Sequence, residues 1–103
     1  MEELTITIEQ GSHETTKITA KGCINTASAL MLEEKLEETI NDGVKNILIN
    51  MLKVNYLSSS GIRVILKTYK QLEEMGGKFN IEMPSENVKN VLGMTALDQI
   101  LLK

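Results

Sequence analysis

Two hydrophobic periods alternate along this chain, and their order limits the folds open to it. Leu4 to Glu9 reads Leu-Thr-Ile-Thr-Ile-Glu, an apolar/polar alternation of period two that describes a half-buried strand. Gln10, Gly11 and Ser12 supply a turn, and the threonine-rich Glu14 to Ala20 continues as a second strand ended by Gly22, so the pair predicts a hairpin. Thr26 is then a candidate N-cap, and Ala29, Leu32, Leu36 and Ile40 recur at spacings of three and four. That spacing predicts an amphipathic helix stopped near Asp42-Gly43. Asn46 to Asn50 holds the continuous run Ile47-Leu48-Ile49, which reads as a central strand buried on both faces, with Met51 to Leu57 leading out of it.

The same alternation continues to the end. Ser58, Ser59 and Ser60 open a second helix, with Ile62, Ile65, Leu66, Tyr69 and Leu72 as its inner stripe and Arg63, Lys67 and Lys70 facing water. Gly76-Gly77 ends it. Lys78 to Met83 forms a fourth strand closed by Pro84, and Ser85-Glu86 starts a third helix that carries Val88, Val91 and Leu92 and is broken by Gly93. Thr95 to Leu102 adds a further helical turn packed on the sheet. Strand–helix–strand units imply parallel pairing with right-handed crossovers. The expected class is therefore α/β: a mixed four-stranded sheet with an N-terminal antiparallel hairpin and three to four helices packed mainly on one face. At 103 residues the chain is expected to form a single domain, residues 1–103. An apolar fraction of 42% is enough for a core without disulfide or metal staples.

Much chemistry is excluded. Net charge is −3, the 11 basic residues are scattered, and the aromatics are two tyrosines and one phenylalanine, so no nucleic-acid partner is expected. Cys23 is the sole cysteine and reads as a buried structural thiol. The sole histidine, His13, reads as an exposed residue of the hairpin turn, too far away to act as a base for Ser59. No metal site, cofactor or catalytic residue is implied, and Gly76-Gly77-Lys78 lacks the spacing of a phosphate-binding loop. The acidic start and a longest apolar run of four residues, Ala29 to Leu32, point to a cytoplasmic protein without membrane insertion. Glu33, Glu34, Glu37 and Glu38 read as a solvated helix face, as does the stripe Arg63, Lys67, Lys70.

One constellation stands out. Ser58-Ser59-Ser60-Gly61 follows a buried strand and opens a helix, where amides without intrahelical partners and the helix dipole favour an anion, including a phosphate carried by a serine. The plain alternative is that these serines only cap the helix.

The stretch Ile47 to Asn50, Val54 to Ile62 and Val64 to Lys70 resembles the signature of STAS domains, and more narrowly that of the bacterial anti-sigma factor antagonists. Gly22-Cys23-Ile24-Asn25, Gly76-Gly77-Lys78 and Val88 with Val91 to Met94 resemble the family's other segments, so the likeness covers nearly the whole chain. The resemblance implies a non-enzymatic, phosphoprotein binding switch in signalling and transcription regulation. A partner anti-sigma factor serine kinase would phosphorylate Ser59, the unmodified form would sequester that kinase, and a serine phosphatase would reverse the step. It implies a docking surface bordered by Asn25, Thr26, Ser58, Ser60, Gly61, Ile62 and Arg63. Ser58 and Asn25 stand where the family carries aspartates, which removes two negative charges beside Ser59. The competing reading is a STAS scaffold that is never phosphorylated, as a regulatory subunit of a signalling assembly or a transporter.

Overall fold

The computed structural model describes residues 3–11 and 15–102. The elements follow the order β1 (Thr5–Gln10), β2 (Thr15–Ile24), α1 (Thr26–Asn41), β3 (Asn46–Leu57), α2 (Ser59–Glu74), β4 (Lys78–Glu82), α3 (Glu86–Met94) and α4 (Asp98–Leu101). The four strands lie in sequence order. β1 pairs with β2 antiparallel, whereas β2–β3 and β3–β4 are parallel. The mixed sheet and its hairpin are thus as the periodicities predicted. Ser12 and His13 of the expected turn, and Glu14, the expected start of the second strand, lie outside the described residues.

The sheet buries one face. Ile18, Ile49 and Ile81 stand in one cross-strand row and are fully buried, as are Ala20 and Met51 on the same face. α1 contributes Ala29, Leu32, Leu36 and Ile40 to this core, α2 contributes Val64, Ile65 and Leu72, and Val88, Leu92 and Leu101 complete it. Leu48, between Ile47 and Ile49, is only half-buried and shares its face with half-exposed Asn46 and Asn50. The expectation of a strand buried on both faces is therefore corrected: a run of three apolar residues does not reveal that the helices cover one side.

Two strands outrun their predicted ends. β2 continues past Gly22 to Ile24, because Gly22 adopts φ 108° and the register shifts between Gly22 and Cys23. That irregularity lets pairing resume as Cys23–Tyr56 and Ile24–Leu57. β3 accordingly runs unbroken to Leu57. α3 also passes through Gly93 to Met94, and the chain turns only at the cap Thr95.

The buried stripe of α2 is rotated from the one expected. Gly61, Val64, Ile65, Thr68 and Leu72 are the buried positions, while Ile62 and Tyr69 pack partly against the core and Leu66 is half-exposed. Thr68 tolerates burial because its hydroxyl donates to the Val64 carbonyl at 2.9 Å. Polar Thr68 and side-chain-free Gly61 carry no apolar signal, so the pattern pointed to their neighbours.

The two adjoining helix starts

Parallel pairing of β2 with β3 brings two helix N-termini to one end of the sheet. Ile24 and Leu57 are register partners, and the Ser58 amide donates to the Ile24 carbonyl at 2.9 Å. The next residue of each strand caps a helix. Asn25, not Thr26, is the N-cap of α1: its Oδ1 accepts from the Ser28 amide at 2.9 Å, and Ser28 Oγ accepts from the Asn25 amide at 2.9 Å. This reciprocal box explains the correction, since Thr26 is already the first helical residue. Ser28 Oγ also donates to the Cys23 carbonyl at 2.8 Å, tying the cap to the end of β2. Cys23 is buried, in line with a structural thiol.

The three serines are not equivalent. Ser58 is 8% exposed, and its Oγ accepts from the Gly61 amide at 3.1 Å, so it is the cap of α2. Ser59 is the first helical residue and is exposed, and Ser60 is half-buried. The first intrahelical bond runs from the Ile62 amide to the Ser58 carbonyl at 3.0 Å. The Ser59 and Ser60 amides precede it, where helical amides lack intrahelical partners. Gly61 is buried against the strand ends: a Cβ there would lie 2.7 Å from Ile24 Cγ2 and from Leu57 Cδ1.

A groove of ≈ 420 Å³ runs from this end between α1 and α2, lined by Thr26, Leu30, Ser60, Arg63 and Val64 among others. Lys67 closes it further along, donating to Glu33 at 2.9 Å and Glu37 at 3.2 Å. These bonds, the one to Glu33 foremost, hold the Lys67 ammonium above the usual lysine range. Two of the four α1 glutamates and one cation of the α2 stripe thus join the helices, correcting the reading of both as plain solvated faces.

The residues expected to border a surface divide by accessibility. Thr26, Ser59 and Arg63 are exposed; Asn25, Ser60 and Ile62 are half-buried; Ser58 and Gly61 are buried. Leu30 was missed. It is 61% exposed and lines the groove beside Ser60 and Arg63. The available signal was the run Ala29 to Leu32, which holds more apolar residues than one helical stripe can bury.

The STAS domain family model matches residues 7–103. The chain belongs to the STAS domain family. Two curated relatives are similar to this STAS domain. BtrV of Bordetella bronchiseptica is 33% identical over 58 residues, covering 56% of this chain and 50% of the relative. The match thus spans about half of that relative's length. The anti-sigma-B factor antagonist of Bacillus subtilis is 29% identical over 85 residues, covering 82% of this chain and 77% of the relative. Among solved structures, unphosphorylated SpoIIAA, an anti-sigma factor antagonist, superposes with TM-score 0.84 at 22% identity, covering 95% of this chain and 86% of that one. The phosphorylated form of Bacillus SpoIIAA gives TM-score 0.77 at 21% identity, covering 95% and 89%. These likenesses confirm the fold. Among the described residues of this STAS domain, no helix is long and apolar enough to cross a membrane.

Proposed function

We propose that this chain is an anti-sigma factor antagonist, a binding module that sequesters an anti-sigma factor serine kinase and is turned off when that kinase phosphorylates Ser59. The observation that carries the reading is the division of labour at the start of α2. Ser58 is consumed as the cap, whereas Ser59 presents an exposed hydroxyl whose modification leaves the cap intact. The names of the curated relatives support the class of partner, BtrV and the Bacillus subtilis protein both being named as anti-sigma factor antagonists. SpoIIAA, of like fold, exists in unphosphorylated and phosphorylated forms.

In this reading residues 1–103 act as one module. The docking surface is the end of the sheet where both helices start, bordered by Asn25, Thr26, Ser58, Ser60, Gly61, Ile62 and Arg63, with Leu30 as a further apolar contact. The kinase moves the γ-phosphoryl group of ATP to Ser59 Oγ, leaving ADP and releasing the hydroxyl proton. The phosphate adds about 1.5 to 2 negative charges where neighbouring amides and the α2 dipole tolerate them. The fold survives while the docking surface changes sign, and a serine phosphatase restores it.

The test is incubation of the purified protein with its candidate kinase and ATP, read by intact and peptide mass spectrometry. One added phosphate mapped to Ser59 and lost in Ser59→Ala supports the switch. No modification by a kinase active on another substrate overturns it and favours an unphosphorylated scaffold.

A further inference from the structure

We propose that Arg63 captures the phosphate on Ser59, so that modification removes from the docking surface the one cation it offers to a partner. This rests on the proposed function for the location of the phosphate. It adds a residue that turns the modification into a change of binding chemistry.

Arg63 is the only arginine of the chain, exposed, and unpaired among the described residues. It stands four residues after Ser59 on the same helix. Side chains so spaced share one face, with Cβ atoms about 5–6 Å apart. Helical side chains lean toward the helix N-terminus, which carries the guanidinium back over the turn holding Ser59 and Ser60. Arg63 and Ser60 line the same groove.

The other charges near this groove are engaged or further off. Glu33 faces it from α1, but its carboxylate accepts from Lys67 at 2.9 Å. Glu37 accepts from the same ammonium at 3.2 Å. Lys70 lies about three turns beyond Ser59, and Glu3 lines a separate hollow with Asn25 on the other side of the α1 start. Arg63 is therefore the cation within reach of a phosphate on Ser59. Its planar fork suits a phosphate, which it can grip through two parallel hydrogen bonds. Unmodified, the same fork is open to a carboxylate of the partner.

The test installs phosphoserine at position 59 of the full chain by genetic encoding, so no kinase is needed. The second ionisation of the phosphate is followed by ³¹P NMR at low salt in the otherwise wild-type protein and in Arg63→Gln and Arg63→Lys. The helix amides act equally in all three, so the differences isolate the side chain. Removing Arg63 is expected to raise that pKa by roughly 0.2–0.7 unit, the range for an exposed ion pair. Arg63→Lys recovers part of the shift, and half-molar salt shrinks it. The single arginine Nε–H signal moves downfield and exchanges more slowly in the phosphorylated chain. Equal pKa values with and without Arg63, together with an unmoved Nε–H signal, overturn the capture. A capture seen here alongside a kinase that never modifies Ser59 defeats only the switch. A working switch with no capture defeats only the role of Arg63.

Discussion

Gly61 lies where the first turn of α2 crosses the ends of β2 and β3, so its lack of a side chain is a packing requirement. Gly61→Ala places a methyl group 2.7 Å from Ile24 and Leu57, which are both buried. A loss of about 1–3 kcal/mol is expected from such overpacking, read as a lower urea midpoint. Its neighbours behave differently. Ser58→Ala loses the cap and leaves the buried Gly61 amide without its acceptor, costing about 1 kcal/mol. Ser58→Asp keeps an acceptor at the same position and should retain most of that stability. Ser59→Ala should leave the urea midpoint unchanged within error while removing the proposed acceptor. If Ser59→Ala destabilises as much as Ser58→Ala, Ser59 shares the capping and the proposed division of labour fails. Only the geometry separates these serines: in the sequence they are three identical letters.

At the scale of elements, α1 and α2 are joined over the core by one cation shared between two carboxylates. Lys67 holds Glu33 and Glu37 across the groove, and its ammonium titrates above the ordinary lysine value because it donates to the Glu33 carboxylate foremost and then to that of Glu37, with their charges adding to the effect. Being raised in the folded state, it contributes stability that is fully present below the unfolded lysine value of 10.5 and is lost as pH climbs through the folded value. Wild type should therefore melt above Lys67→Met at pH 8, and the gap should close as pH rises past the lysine range. A gap that persists there would mean that the lysine stem, not its charge, holds the helices. Tyr69 also titrates above its usual value, because its hydroxyl donates to Glu73 at 2.8 Å. The comparison is therefore made between the two proteins at each pH. Periodicity located both helices but not this link, since residues 33 and 67 are brought together only by the sheet.

Across the whole molecule, the one-sided burial of the sheet makes a sharp contrast between sequence neighbours. Ile49→Ala, at a fully buried position, should cost about 2–5 kcal/mol, whereas Leu48→Ala, half-buried on the open face, should cost much less. Equal losses in urea denaturation would mean that the open face is covered in solution. The element order, the hairpin and a serine cluster opening α2 were all legible in the sequence, because period-two and period-3.6 patterning and capping residues act over a few neighbouring positions. The Gly22 irregularity, the true ends of β2 and β3, the rotated stripe of α2 and the exposure of Leu30 were not. Each depends on which segment packs against which, and local patterning carries no record of that. The sequence by itself thus determined which segments become strands and helices and that a serine-rich helix start follows a buried strand. Only the tertiary structure decided which serine is spent on the cap and which is exposed, that the Ser58 amide bonds to the Ile24 carbonyl, and that Arg63 shares a groove with Ser60. The physical reason is that parallel pairing across β2 and β3 joins residues more than thirty positions apart.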